Sequence, residues 1–348
     1  MPDPNPVNPV ADPELLHQMA FSFIPSRVLS AGLQLGVFAH IAAGKQTAAE
    51  VARAAQASER GTRMLLDALV AAQLLTRNEA RYELTPLASK FLVRGTPDYL
   101  GLLFEQEQLW QSWGHLSEVI RTGRPLVRVE SQTVAEMFFP ILVQTLHVLH
   151  RDRARRLAEV LGIGTRAEGT LSKEARAGLR VIDVACGSCV WGIAVAERDP
   201  EARITAQDFP GVLTVTREYL KRHGVERQFD FLPGDLKTVD FGREQYDLAL
   251  LGNILHSEGA QSSQNLLKRL HAALRPGGRV AIIDFLTNDD RSAPPFPVFF
   301  ALNMLLHTEH GDTYSLADYT RWLAEAGFSR VETADIGSHS PVVIGYRD

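Results

Sequence analysis

The sequence predicts an α/β protein in which an α-helical, winged-helix-like N-terminal domain precedes a doubly wound, mostly parallel sheet of seven strands. Two observations lead to this fold class. From Glu14 to His150 apolar residues recur at helical spacing, and after Leu179 strand and helix patterns alternate. Near-continuous apolar strands separated by helices indicate a parallel sheet covered on both faces. The 348 residues suffice for about two domains.

The N-terminal half begins with a proline-rich stretch and continues as helices. Residues 1–12, which begin MPDPNPVNPV, are typical of a disordered tail and lack the features of a signal peptide. Thr47 and Ser58 are placed to cap two helices, and TRNEARYELT is typical of a small β-ribbon. Helix, turn, helix and ribbon within residues 13–110 follow the order of a winged helix.

Winged helices often bind DNA, but the charges on the candidate recognition helix argue against that function. Arg60 and Arg63 are offset by Glu59 and Asp67, and the later turns are apolar. The preceding stretch AFSFIPSRVLSAGLQLGVFAHI is too apolar to face water. We therefore predict that residues 13–110 form a dimerisation domain of a homodimer, with no nucleic-acid partner.

The remaining chain divides into linking helices over residues 111–165 and a sheet domain over residues 166–348, with the boundary near the stretch GTRAEGTLSKEARAG. The last two strands are joined by the short SHS, so they should form an antiparallel hairpin at the sheet edge. The seven predicted strands are LRVIDVA, RITAQDF, FDFLPGD, YDLALLGN, RVAIIDFL, RVETADIG and PVVIGYR.

Bulk properties predict a cytoplasmic protein. No apolar run reaches the roughly 18 residues of a membrane span, and a net charge of -5 gives no general attraction to nucleic acid or anionic membranes. Two cysteines without a secretion signal are expected to stay reduced.

The loop VACGSC follows the first strand of the predicted sheet, where a doubly wound fold binds its ligand. Gly187 allows close approach of the backbone, and Asp208, 21 positions later, can accept hydrogen bonds from ribose hydroxyls. This spacing indicates an adenosine-containing cofactor. The G-x-G-x-x-G fingerprint of NAD proteins and the lysine of a P-loop are both absent.

The same loop contains the C-x-x-C motif of Cys186 and Cys189, which also occurs in redox and zinc sites. A structural zinc needs two more ligands at short spacing, and a thioredoxin-like site needs a different strand order. We therefore predict that both cysteines are small packing residues, and we predict no metal site.

Five stretches follow one another along the chain: VIDVACGSC, QDFPGVL, PGDLKTVDFG, YDLALLGNILHSE and LRPGGRVAIIDF. In this order they resemble the motifs of class I S-adenosylmethionine-dependent methyltransferases. With the helical N-terminal half, the chain is most similar to small-molecule O-methyltransferases of the plant and bacterial natural-product type. The resemblance covers nearly everything after about Pro13. It implies S-adenosyl-L-methionine as cofactor and S-adenosyl-L-homocysteine as product.

The resemblance also assigns residues to the cofactor. Gly187 and its neighbours would face the methionine end, Asp208 would hold the ribose, and Asp235 would lie beside the adenine. Ala185 and Cys189 replace glycines of the family's G-x-G-x-G loop and adopt positive φ less readily. The expected cofactor-binding residues are Asp183, Ala185, Gly187, Asp208, Phe209, Gly234, Asp235, Leu236 and Asn253.

Methyl transfer to a phenol, whose pKa is about 10, requires a base near the hydroxyl. By the resemblance, His256 in GNILHSE occupies the position of the general base, and imidazole suits that role near neutral pH. Asp284 matches an acidic position of the family, from which it would orient His256. Ser257 stands where relatives often have aspartate, and Thr313 stands where plant-type relatives have glutamate.

Helical stretches that should cover the strand ends carry the candidates for a substrate pocket. These are Trp110, Trp113, Phe138, Phe139, Phe299, Phe300, Met304 and His307. Residues of these types also form cores, but as a pocket lining they suit an apolar, flat and uncharged molecule. We predict an O-methyltransferase acting on a hydroxyl of an aromatic or polyketide-like small molecule. Two alternatives stay open: a non-methylating enzyme of the same fold, and a winged-helix regulator that senses a ligand.

Overall fold

The computed structural model describes residues 12–128, 132–164 and 178–348. The chain forms two compact units, Met1–Glu107 and Gln108–Asp348. One apolar core lies in the first unit, and two apolar cores lie on opposite faces of a sheet in the second. No helix among these residues is long and apolar enough to cross a membrane.

Short capped helices and a two-stranded ribbon make up the first unit. Thr47 and Glu50 form a reciprocal capping box, and Ser58 Oγ accepts a hydrogen bond from the Gly61 amide at 3.1 Å. Both predicted helix caps are therefore confirmed. The elements are α1 (Pro13–Phe21), α2 (Ile24–Gln34), α3 (Val37–Ala42), α4 (Ala48–Ala54), α5 (Glu59–Ala71), β1 (Leu75–Asn78), β2 (Arg81–Leu84), α6 (Pro86–Phe91) and α7 (Gly101–Phe104).

On the candidate recognition helix α5, Arg63 and Asp67 are paired within the unit. Asp67 accepts a hydrogen bond from Tyr82 Oη at 2.7 Å and pairs with Arg63 at 2.8 Å and Arg77 at 2.9 Å. This network fastens the ribbon to the helix. It also neutralises Arg63, which agrees with the sequence argument against phosphate binding.

Apolar side chains on the first two helices are exposed within a single chain. Leu16 and Met19 on α1 are 70% and 62% exposed, and Phe21 and Ile24 are also open to solvent. An apolar patch of this kind indicates a surface that a partner covers.

The second unit begins with helices and continues as alternating strands and helices. Among the linking helices predicted over residues 111–165, the one nearest the sheet is a single long helix, α10. The elements are α8 (Glu107–Gly114), α9 (Leu116–Thr122), α10 (Gln132–Val160), β3 (Arg180–Val184), α11 (Val190–Arg198), β4 (Arg203–Asp208), α12 (Pro210–His223), β5 (Phe229–Pro233), β6 (Tyr246–Gly252), α13 (Leu255–Glu258), α14 (Ala260–Ala273), β7 (Leu274–Ile283), β8 (Leu286–Thr287), α15 (Pro295–His307), β9 (Tyr314–Ser315), α16 (Leu316–Ala326), β10 (Arg330–Ala334) and β11 (Val342–Tyr346).

The seven-stranded sheet has the order β10-β11-β7-β6-β3-β4-β5. Strands β3 to β7 are parallel, β11 is antiparallel to β7, and the β10–β11 hairpin closes one edge. The predicted fold class and the antiparallel edge hairpin are both confirmed. The strand order reverses between β3 and β6, and open α/β sheets bind their ligands in a crevice at the carboxyl ends of the strands at such a point.

One pairing was not predicted. The two-residue strands β8 and β9 pair in parallel, with Leu286 opposite Tyr314. They follow β7 and precede α16, and they hold the start of α16 beside the end of β7. This contact matters for the site because Asp284 lies directly after β7.

Candidate active site

The loop after β3 keeps a left-handed backbone at three positions. The φ angles are 51° at Ala185, 57° at Gly187 and 59° at Cys189. Ala185 and Cys189 thus adopt the left-handed conformation that glycine adopts with the least strain. The loop has this backbone conformation although two of the family's glycines are replaced. Cys189 is the N-cap of α11, which begins with the following residue.

Helix α10 packs directly on this loop. A side chain at Gly187 would place its Cβ 3.1 Å from Cγ2 of Val143, which is tighter than an ordinary contact. The next residue, Ser188, is hydrogen-bonded through Oγ to His147 Nδ1 at 3.0 Å. Burial lowers the pKa of His147 to about 3, so its ring is neutral at physiological pH. The loop is therefore held by packing as well as by its own backbone.

Asp208 is fixed by two backbone amides at the end of β4. Its Oδ2 accepts from the Gly187 amide at 2.9 Å, and its Oδ1 accepts from the Phe209 amide at 2.7 Å. Burial raises the pKa of Asp208 to about 6, against the lowering effect of these two hydrogen bonds. A further donor, such as a ribose hydroxyl, would favour the ionised form.

Gln207, which the sequence analysis did not single out, joins the two loops that flank the crevice. Its Oε1 accepts from the Ala185 amide at 3.1 Å, and its Nε2 donates to the Gly234 carbonyl at 2.7 Å. The side chain of Asp235, beside Gly234, accepts from the Lys237 amide at 2.8 Å. Leu236 is buried next to it. Five expected cofactor residues on three loops are therefore fixed by short-range contacts: Ala185, Gly187, Asp208, Gly234 and Asp235.

Asp183 and the C-x-x-C cysteines form a buried polar cluster. Asp183 Oδ2 accepts from the Gly192 amide at 2.9 Å and from Cys189 Sγ at 3.2 Å, whereas Oδ1 has no partner in the described part of the chain. Burial raises the pKa of Asp183 to about 7 and also raises the pKa of both thiols. Raised thiol pKa values disfavour thiolate chemistry, so the cysteines have the features of packing residues.

Asn253 lies at the end of β6 with φ of 58° and its Nδ2 is 3.2 Å from His150 Nε2. The preceding residue has to be glycine on steric grounds, because a Cβ on Gly252 would lie 2.2 Å from Nε1 of the buried Trp191. His150 stacks near Trp191 with ring centroids 5.5 Å apart. This group connects α10, α11 and the end of β6.

His256 and Asp284 come together at the ends of adjacent strands. Nδ1 of His256 lies 2.5 Å from Oδ1 of Asp284, and the His256 amide donates to Oδ2 at 3.1 Å. Both side chains are buried, at 9% and 1% exposure. Within the described residues, Nε2 of His256 has no hydrogen-bond partner. The ring is thus oriented through one nitrogen and leaves the other available.

Ser257 and Thr313, which depart from the family pattern, make other contacts. Ser257 Oγ donates to the Ile254 carbonyl at 2.8 Å, and Thr313 Oγ1 donates to the Pro297 carbonyl at 3.1 Å. Glu258, the next acidic residue, pairs with Lys237 at 3.4 Å. Asp284 is therefore the carboxylate that contacts His256 in the described chain.

Aromatic rings surround the His256 imidazole. Phe300 meets it edge-on at 5.1 Å, and Phe285, which the sequence analysis missed, stacks on it at 5.8 Å. Phe296 extends this wall by contacting both phenylalanines. The wall is apolar and offers no charge to a bound ligand.

The other predicted substrate residues have different surroundings. Met304 is buried on α15, and His307 Nδ1 is 2.9 Å from the Asn303 carbonyl. Trp110 and Trp113 on α8 are 43% and 39% exposed, and Phe299 is 59% exposed. The side chains of Phe138 and Phe139 lie outside the described residues.

Two segments of the chain match known protein families. Residues 113–329 match the O-methyltransferase domain family, and residues 17–94 match the O-methyltransferase dimerisation domain. The chain belongs to this O-methyltransferase family. It is therefore an S-adenosylmethionine-dependent methyltransferase, as the motif series predicted, and the dimerisation domain supports the predicted homodimer.

Individual O-methyltransferases align over nearly the full length. The tetracenomycin polyketide synthesis 8-O-methyl transferase of Streptomyces glaucescens is 29% identical, with 97% of each chain covered. The 3-hydroxy-5-methyl-1-naphthoate 3-O-methyltransferase of Streptomyces sahachiroi is 29% identical, with 94% of this chain and 92% of that protein covered. The structure of human N-acetylserotonin methyltransferase in complex with S-adenosylmethionine has a TM-score of 0.81 and 26% identity, with 98% and 99% coverage.

Proposed function

We propose that this methyltransferase transfers a methyl group to a hydroxyl of an aromatic or polyketide-like small molecule, with His256 as the general base. The observation that carries the proposal is the His256–Asp284 contact of 2.5 Å, which leaves Nε2 without a partner among the described residues, beside an apolar, aromatic wall. The two bacterial relatives named above, which act in polyketide synthesis and on a hydroxynaphthoate, support the substrate class.

The cofactor-binding residues are also part of the proposal. Asp208 would accept hydrogen bonds from the ribose hydroxyls, Gly187 would lie against the methionine end, and Asp235 and Leu236 would flank the adenine. The geometry supports the role of Asp208, because the amides of Gly187 and Phe209 orient its carboxylate. When bound, the cofactor would supply a sulfonium methyl group for in-line displacement, in which the attacking oxygen takes the methyl and the neutral thioether of S-adenosylhomocysteine leaves.

The protein residues would prepare the hydroxyl for this displacement. Asp284 accepts a hydrogen bond from Nδ1–H of His256, which favours the tautomer in which Nε2 carries the free lone pair. Nε2 would then accept the proton of the substrate hydroxyl as the oxygen attacks. Phe285 and Phe300 would exclude water and hold the flat substrate against the imidazole.

The dimer interface belongs to the same proposal. The exposed apolar side chains of α1 and α2 would pack against a second copy of the chain, as expected for the dimerisation domain that residues 17–94 match. Burial of such side chains removes the patch from water.

The test of the base is His256→Ala, assayed with radiolabelled S-adenosylmethionine and a panel of hydroxynaphthoates and polyketide phenols. Turnover should fall roughly 100-fold or more while S-adenosylhomocysteine binding stays within about twofold. His271→Ala, which removes a half-buried imidazole on α14, is the matched control and should retain activity. Unchanged turnover in His256→Ala would exclude His256 as the base.

A further inference from the structure

Asp284 receives a hydrogen bond from a third side chain. Tyr319 Oη on α16 donates to Oδ2 of Asp284 at 3.1 Å. The carboxylate thus accepts from His256 Nδ1 and the Phe285 amide through Oδ1, and from the His256 amide and Tyr319 through Oδ2. Apart from His256, Tyr319 provides the side-chain donor to this carboxylate in the described part of the chain.

The Tyr319 side chain is held in place by the packing of its ring. Its side chain is fully buried, and its ring meets Tyr314 edge-on at 6.0 Å and Trp322 at 5.5 Å. The helix that carries it starts with a capping box between Ser315 and Asp318. The short pair of strands β8 and β9 anchors that helix start beside the end of β7. The Tyr319 hydroxyl is therefore a fixed donor.

The donor also stays protonated. Burial, together with the charge of Asp284, raises the pKa of Tyr319 well above its usual range. A phenol that cannot ionise donates to the carboxylate at every pH at which the enzyme works. Because the site is buried, such a hydrogen bond contributes more than it would at the surface.

We propose that Tyr319 is a positioning residue for methyl transfer, which acts through Asp284 to fix the tautomer and the basicity of His256. The proposal rests on the proposed role of His256 as the base. By sharing the negative charge of Asp284, the Tyr319 hydroxyl weakens the pull of the carboxylate on the Nδ1 proton. It also prevents the carboxylate from rotating, so that Nε2 keeps a single direction toward the substrate.

The test is Tyr319→Phe, which removes one oxygen and keeps the ring. Without this donor, Asp284 should stabilise imidazolium more strongly, so the His256 ring of the variant should become protonated at a higher pH than in the wild type. The readout is a titration by nitrogen-15 NMR of histidine-labelled protein saturated with S-adenosylhomocysteine, in which His256→Ala assigns the signal. Turnover should fall about tenfold, as expected for one charge-assisted hydrogen bond, with the KM for S-adenosylmethionine unchanged.

Tyr314→Phe is the matched control, because it removes a hydroxyl from the same buried aromatic cluster, in which Tyr314 contacts Tyr319 and Trp322 through its ring. It should leave the His256 titration and the turnover as in the wild type. An unchanged His256 pKa in Tyr319→Phe would overturn the proposal. So would equal losses of turnover in both variants without a shift in the titration, since these would mean that only packing was lost.

These outcomes separate the proposal from the function on which it rests. The NMR titration needs no acceptor substrate, so it reports on Tyr319 even when no phenol in the panel is methylated. If His256→Ala keeps full turnover, the base assignment fails, and the role of Tyr319 in methyl transfer fails with it. If His256→Ala is inactive and Tyr319→Phe matches the wild type in titration and turnover, Tyr319 alone is excluded.

Discussion

Replacement of Asp208 by asparagine should weaken cofactor binding through one altered atom. The carboxylate oxygens accept separately from the Gly187 and Phe209 amides. Asparagine keeps one acceptor oxygen, but its amide nitrogen is a donor and must face one of these two N–H groups. The variant therefore loses a loop hydrogen bond and also loses the charge that a ribose hydroxyl would meet.

The size of the effect follows from the hydrogen bonds involved. A hydrogen bond to a charged group contributes about 1.5–3 kcal/mol, so the loss of one to the ribose should raise the Kd roughly 10- to 150-fold. The lost loop hydrogen bond should appear separately as a lower Tm. Asp208→Asn at pH 8 should thus bind S-adenosylhomocysteine with a Kd at least about tenfold higher than the wild type.

The pH dependence gives a second test of the same residue. Because burial raises the pKa of Asp208 to about 6, the carboxylate is ionised above that pH and becomes protonated below it. The affinity for S-adenosylhomocysteine should be highest near pH 8 and should fall as the pH drops through 6. Well below pH 6 it should fall by about tenfold per pH unit. Asp208→Asn has no such group and should show a flat profile over this range.

Isothermal titration calorimetry with S-adenosylhomocysteine measures both effects without an acceptor substrate. Asp240→Asn is the matched control, since Asp240 is an exposed carboxylate that accepts from the Gly242 amide at 2.8 Å. It should bind as the wild type does. Equal affinity of Asp208→Asn and wild type at pH 8 would refute the assignment of Asp208 to the ribose.

Two further predictions concern the neighbourhood of the cofactor loop. Gly252→Ala should lower the free energy of unfolding by about 1–3 kcal/mol, because its Cβ would displace the buried Trp191; Gly114→Ala, with open space around its Cβ, should not. Denaturant unfolding measures the free energy of unfolding of each variant, and equal values for Gly252→Ala and Gly114→Ala would contradict the steric argument. The Tm of Asp183→Asn minus the Tm of the wild type should increase as the pH is raised from 5 to 8. The folded-state pKa of Asp183 is raised from 3.8 to about 7, so the wild type loses stability as pH rises through that range and the amide does not. Scanning calorimetry that gives the same difference in Tm at both pH values would rule this out.

Much of the fold could be predicted because its signals are local. Apolar strands alternate with helices after Leu179, and Thr47 and Ser58 cap helices through contacts only three residues away. His256 and Asp284 follow β6 and β7, which are adjacent parallel strands, so strand-end residues from both meet at one edge. The sequence pattern therefore placed the two side chains in the same crevice.

The rest of the site depends on contacts that no periodicity encodes. Tyr319 lies 35 positions from Asp284, in a helix whose apolar pattern makes it look like any core aromatic residue. Gln207 could have been suspected only as the neighbour of Asp208. Compact residues at Ala185 and Cys189 indicated a loop close to a ligand, but their left-handed φ angles depend on the packing of α10 and on the buried carboxylate of Asp183.

The bridge made by Gln207 has a consequence for the catalytic cycle. Since one side chain already joins Ala185 to Gly234, both walls of the crevice are in place before any ligand arrives. A preformed crevice loses little conformational entropy on binding, and the proposed contacts to ribose and adenine would be the same for S-adenosylhomocysteine and S-adenosylmethionine. We therefore expect S-adenosylhomocysteine to compete with S-adenosylmethionine for the crevice and to inhibit the enzyme as it accumulates.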